Sequence, residues 1–319
     1  MLPDQVTGRP LSKGRQVLVA AAIMLSLPGC APRPQTPRIL PELVLDIADP
    51  WIEARIGETT LRLRVDLDRR NTVELNPAAA DRLALPFQVG GGALVGRVRL
   101  NERSVVAPVT IGGIAVPLTL SAFDRDCCAA TDGAIGPDLL PYERVRFVRS
   151  GGVTGTTERR FPLTRSDEAG LAVATPTPKG EVFTGFSLGY SGTLATAAAG
   201  AILAEAYGGR LIGGRFEVAP AFGVSRPAQR VVLDREVELA GFRVKDLSVR
   251  IADFRGNHAL PREPATAGEI LVKQRGPRGQ TAWPAILIGR DRIDRCAEIL
   301  FERAPLAVML RCAFAGDPQ

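Results

Sequence analysis

Two carboxylates and a serine stand in contexts that could do chemistry. Asp66 follows the alternating run Leu61, Leu63, Val65 and opens a polar turn, Asp66-Leu67-Asp68-Arg69-Arg70. A carboxylate is a candidate acid or base. Asp68 is a second candidate. In extended chain, residues two apart lie about 6.6 Å apart, so only a bent turn would let the two carboxyls share a proton. Ser187 lies in Gly185-Phe186-Ser187-Leu188-Gly189, a Gly-x-Ser-x-Gly pattern read as having a strand before it and a helix after it. Asp234, Asp246 or Asp253, then His258, follow in the order a serine hydrolase needs. Two features weigh against that triad. The only histidine sits in a charged loop, Arg255-Gly256-Asn257-His258, and residues 187–251 read mostly as β, without the alternating strand–helix units of that hydrolase fold. With one histidine and no Cys-x-x-Cys, neither a metal site nor a cofactor is expected.

The elements that position these residues are mostly strands. Residues 43–68 read as strands broken at Asp49-Pro50 and Gly57-Glu58. Asn76-Pro77 predicts a capped helix over 76–85. Gly90-Gly91-Gly92, an alternating Leu94–Leu100 and a hairpin over 111–120 follow, then Asp132-Gly133-Ala134-Ile135-Gly136-Pro137-Asp138-Leu139-Leu140. Gly 33 and Pro 25 suit a turn-rich β fold, and aromatics at 5% leave a core of Val, Leu, Ile and Ala.

Asp66 on its turn and the Gly133-Ala134-Ile135-Gly136 run together resemble the retropepsin-like aspartic proteases. There the acid turn reads Asp-Thr-Gly-Ala-Ser or close to it, and a Gly-apolar-apolar-Gly run packs behind it. The resemblance implies one lobe over roughly residues 50–150, with Asp66 as its acid. This chain departs from the pattern at Leu67, Asp68 and Arg69, which follow the acid directly.

The rest of the chain repeats the plan. Phe186–Thr196 matches the acid-turn segment, and the step from Asp66 to Thr72 equals the step from Ser187 to Thr193. A helix over 197–206, Gly213-Gly214, residues 216–224, 239–251 and Ala285-Ile286-Leu287-Ile288-Gly289 follow in the same order. Ser187 therefore takes the place of the second acid. Aspartic proteolysis shares one proton between two carboxylates, and a serine cannot supply the second. A guanidinium at Arg69 would further hold Asp66 ionised.

Outside the fold, Lys13 and Arg15 precede an apolar run, Val17–Leu27, and then Leu27-Pro28-Gly29-Cys30. This has the layout of a signal peptide and is similar to the bacterial lipobox, which implies lipid attachment at Cys30. Ala31–Pro37 reads as a proline-rich tether. No Asp follows Cys30, which points to the outer membrane over the inner one, facing the periplasm. In an exported protein the remaining cysteines can oxidise. Cys296 and Cys312 flank a plausible hairpin and could face each other, whereas adjacent cysteines such as Cys127 and Cys128 rarely bond. The net charge of +6 is mild, scattered and partly in residues 1–29, so no nucleic-acid partner is expected.

The sequence thus predicts a mostly β, two-lobed, aspartic-protease-like fold, each lobe a small closed β-barrel with one or two short helices. The divisions are a lipoprotein signal peptide over 1–29, a tether over 30–42, lobes over 43–152 and 181–319, and a linker over 153–180. The expected function is a catalytically impaired protein that binds an extended peptide or protein segment in its cleft. It is anchored to the membrane by lipid and is monomeric. The alternatives are an active aspartic endopeptidase using Asp66 with a further acid, Asp68 being the candidate, and a serine hydrolase using Ser187.

Overall fold

The computed structural model describes residues 39–69, 71–95, 98–166, 170–251 and 284–314. The segments read as signal peptide, lipobox and most of the tether, and the loop holding Asp253 and His258, lie outside the described residues.

The first lobe contains β2 (Trp51–Ile56), β3 (Thr59–Val65), β4 (Val73–Leu75), α1 (Pro77–Arg82), β5 (Gln88–Val95), β6 (Val98–Ile111), β7 (Ile114–Phe123) and β8 (Gly133–Ile135), after β1 (Leu40–Asp46). Its strands run in the order β2-β3-β8-β4-β7-β6-β5, and Arg55 of β2 pairs with Thr110 of β6. Six strands therefore close into a barrel. The period-two apolar set points inward: Leu61, Leu63 and Val65 are fully buried. Each such side chain contributes roughly 1.5–3 kcal/mol by leaving water.

A 3₁₀ turn (Pro137–Leu139) and β9 (Tyr142–Val148) lead on to β10 (Thr157–Pro162), β11 (Thr164–Ser166), β12 (Gly170–Thr177), β13 (Gly180–Phe186), β14 (Leu194–Ala195), α2 (Ala197–Tyr207), β15 (Gly209–Val218), β16 (Arg226–Leu239), β17 (Phe242–Arg250), β18 (Ala285–Ile288), α3 (Arg290–Ile293), β19 (Cys296–Arg303) and β20 (Leu306–Cys312). The second sheet runs β11-β12-β13-β18-β14-β17-β16-β15. The span expected as a linker, 153–180, is thus largely sheet: β10 pairs with β20, β11 with β12 and β12 with β13. Helix α2 packs against both β12 and β16.

The internal repeat is visible in the pairing. In the first lobe β3 runs parallel to β8, β8 antiparallel to β4, and β4 parallel to β7. In the second, β13, β18, β14 and β17 do the same. Asp66 N–H donates to the Ile135 carbonyl at 3.1 Å, and Ser187 N–H donates to the Ile288 carbonyl at 2.9 Å. Asp66 and Ser187 are therefore equivalent in register. The equal step to Thr72 and Thr193 misleads. Glu74 pairs with Ala134, one residue before Ile135, while Leu194 pairs with Leu287, one residue before Ile288. The second turn is one residue shorter, and Thr193 takes the register of Val73.

Gly136 and Gly289 end the two matching apolar runs, and each lies against backbone. A Cβ on Gly136 would stand 2.3 Å from the Arg69 carbonyl oxygen, and one on Gly289 2.3 Å from that of Gly192. Only a hydrogen fits at either place.

A third sheet, β1-β9-β19-β20-β10, joins the lobes. Glu298, buried in it, is held by Arg146, and by Arg311 at 2.8 Å. Arg146 also reaches Glu42 at 2.9 Å and holds that carboxyl below the usual range. Cys296 and Cys312 form a disulfide at the end of this sheet. Cys127 and Cys128 are also bonded, to each other, against the expectation from their adjacency. The mostly β architecture, with a closed six-strand barrel in the first lobe and the same pairing plan repeated in the second, stands on these pairings.

Candidate functional site

Asp66 and Ser187 directly follow strands β3 and β13 and meet where the lobes touch. Both are buried, at 3% and 1% exposure. Ser187 Oγ lies 3.5 Å from Asp66 Oδ2, at the outer limit of a hydrogen bond. The firm link is backbone to carboxyl: Leu188 N–H donates to Asp66 Oδ1 at 2.7 Å. Gly189 N–H donates to Ser187 Oγ at 3.2 Å, so the hydroxyl is held by its own turn.

Sequence reasoning missed Arg64. It sits at an outward step of β3, where the alternation assigns a solvated side chain. Instead its Nη2 donates to the Leu188 carbonyl of the other lobe at 2.6 Å, and its Nε stands 3.7 Å from Asp66 Oδ2. Gly189 makes room for this pair. A Cβ there would lie 2.9 Å from Asp66 Oδ2 and 3.3 Å from the Arg64 guanidinium. One signal was available: a basic residue two positions before the acid, opposite a glycine two positions after its counterpart.

The carboxyl of Asp66 is pushed up to about 7, first by burial and then by the charge of Asp68. The Leu188 N–H, Arg64 and Arg69 pull the other way. The expectation that Arg69 would hold Asp66 ionised is therefore corrected: the loss of water around the carboxyl outweighs the guanidinium. Arg69 is engaged elsewhere, bonding Glu74 and lying 3.4 Å from Asp68 Oδ1. Among the described residues no hydrogen bond joins Asp66 to Asp68.

The serine-hydrolase pattern is not on a strand–turn–helix elbow. Ser187 is followed by a turn and β14, and α2 begins only at Ala197. Asp246 is paired with Arg230, and Asp234 stands 3.6 Å from Arg210. Among the described residues no cluster of three or more His, Cys, Asp or Glu could hold a metal ion, and no helix is long and apolar enough to cross a membrane.

β5 and β15 are the end strands of their sheets. The loop between β15 and β16 reaches the first lobe, where Phe222 meets Phe123 edge-on with centroids 4.6 Å apart. Phe222 adopts φ +51°, a conformation costly for a bulky side chain.

Comparison with solved structures finds retroviral protease-like domains. One is the retroviral protease-like domain of Ddi1 from Leishmania major, 21% identical over 28% of this chain and 72% of that one, with a TM-score of 0.24. Another is EIAV protease complexed with the inhibitor HBY-793, 19% identical over 29% of this chain and 85% of that one, also with a TM-score of 0.24. No protein-family model and no curated protein matches the sequence.

Proposed function

We propose that this chain is an exported, lipid-anchored relative of the retropepsin-like proteases that holds an extended peptide or protein segment between its lobes without cutting it. One observation carries the non-cleaving part. At the point where two acids must share a proton, Asp66 faces the hydroxyl of Ser187 at 3.5 Å and the guanidinium of Arg64 at 3.7 Å. An alcohol cannot act as the base on water or exchange a proton with Asp66 at ordinary pH. Peptide binding is supported by the end strands β5 and β15, whose outer edges can accept an added strand. Export and the lipid anchor rest on the signal-peptide layout and Cys30.

A second reading, an acid peptidase using Asp66, is favoured by the carboxyl's rise to about 7, which leaves it protonated in acid. A fluorogenic peptide library at pH 3–6 separates the two. The binding reading expects no turnover that depends on Asp66, together with saturable binding of extended peptides. Turnover lost in Asp66→Asn and blocked by a statine-type peptide would replace it with the peptidase.

A further inference from the structure

The two disulfides differ in access. Cys296 and Cys312 are 0% exposed, whereas Cys127 and Cys128 are half-buried on the surface loop 124–132. That loop is held at three places. Asp124 accepts from Asn101 at 3.1 Å at its start. Asp132 accepts from the Arg62 amide at 2.8 Å at its end. Between them the Asn76 side chain makes four bonds: Nδ2 donates to the Cys128 and Thr131 carbonyls at 2.8 and 2.9 Å, and Oδ1 accepts from the Cys127 and Cys128 amides at 2.9 and 3.2 Å. Ala130 is left-handed at φ +60°. The loop leaves β7 directly after Phe123, the residue on which Phe222 of the β15–β16 hairpin rests.

The two sulfurs are placed unequally. Cys127 Sγ lies 3.7 Å from the Glu74 carbonyl oxygen. Cys128 lines a concavity of about 420 Å³ with Arg62, Asn76, Asp126, Thr131 and Asp132. A small thiol can therefore approach Cys128 but not the buried pair.

We propose that Cys127–Cys128 is an exchangeable disulfide, a modification site for dithiol reductants that sets the conformation of loop 124–132 and the closure of the β15–β16 hairpin on Phe123. A reductant thiolate attacks Cys128 Sγ, and the bond to Cys127 breaks. Cys127 leaves as thiolate and takes up a proton. The reductant's second thiol then resolves the mixed disulfide, giving Cys128 thiol and the oxidised dithiol. Opening the ring returns backbone freedom to both residues, which loosens the seat of Phe222.

The test treats the full-length chain with dithiothreitol, alkylates it, and maps peptides by mass and hydrogen exchange. Cys127 and Cys128 are expected to become alkylated at least ~10-fold faster than Cys296 and Cys312, because exchange follows access. Amide exchange is expected to speed up in residues 119–132 and 219–225 together. A Cys127→Ser/Cys128→Ser double variant should show the same exchange without reductant. Free thiols at 127 and 128 before treatment, equal reduction of both disulfides, or unchanged exchange at 219–225 after reduction would each overturn the proposal.

Discussion

The Leu188 amide of one lobe donates to the Asp66 carboxyl of the other at 2.7 Å, while Arg64 returns a bond to the Leu188 carbonyl at 2.6 Å. The acid is thus part of the seam between lobes, tied to a peptide unit rather than to a second acid. Its titration therefore couples to how the lobes are held.

The sign of that coupling follows from the raised carboxyl. Folding favours the protonated form, so the contribution is fully present below 3.8, the ordinary value, and is lost as pH rises through about 7. At 1.36 kcal/mol per unit the full span is at most about 4 kcal/mol. The contributions of the depressed carboxyls Glu42 and Asp132 are lost only under more acidic conditions. Chemical denaturation at pH 5 and pH 8 should show wild type losing stability at the higher pH. Asp66→Asn should remove most of that difference, because its side chain still accepts from Leu188 but cannot ionise. An unchanged difference in the variant would assign the effect elsewhere.

Ser187→Asp places a second acid at the equivalent register, in a site with 1% exposure. Two buried carboxyls held this close cannot both ionise without cost. The variant is expected to be destabilised by roughly 2–4 kcal/mol at pH 8 and clearly less at pH 5, where one proton can be shared. Thermal melts at the two values check this. Equal loss at both would mean that bulk, not charge, is the cause.

Gly136→Ala and Gly289→Ala each force a methyl against a carbonyl oxygen at 2.3 Å. Overpacking of this kind typically costs about 1–3 kcal/mol. Since both glycines stand behind a turn that carries a site residue, each substitution should also disturb the other lobe's contact. Nuclear magnetic resonance shifts at Leu188 in the Gly136→Ala protein would report it. A silent substitution at either position would show that the turns have room to yield.

The lipid anchor expected at Cys30 has its own test. Cys30→Ala should leave the protein unacylated and, once residues 1–29 are removed, in the soluble fraction, because the acyl chains supply the anchor. Intact mass and fractionation read both outcomes. Membrane retention of the unacylated variant would call for another attachment.

Much of the core and half of the site were legible in residue types. Leu61, Leu63 and Val65 alternate because one face of β3 is buried, and Gly133–Ile135 reads as a strand closed by a glycine that backbone contact requires. Ser187 could be placed opposite Asp66 because the order of segments survives in both copies. Other features depend on partners distant in the chain. Arg64 looks like a solvated step in an alternating strand until the second lobe supplies Leu188. Asn76 looks like a helix cap, yet it makes no cap bond to α1 and spends both ends of its amide on loop 124–132. The one-residue shortening before β14 is hidden because Thr72 and Thr193 share a residue type by coincidence of spacing.

The sheet that joins the lobes interleaves strands from distant parts of the chain: β9 lies between β1 and β19, and β20 between β19 and β10. Separate expression of either half would strand Glu298 without Arg146, or Arg146 without Glu298, and expose strand edges that are now sealed. A single protease nick near residue 152 should leave the two fragments bound to one another, so the molecule's integrity does not depend on an unbroken backbone at its middle.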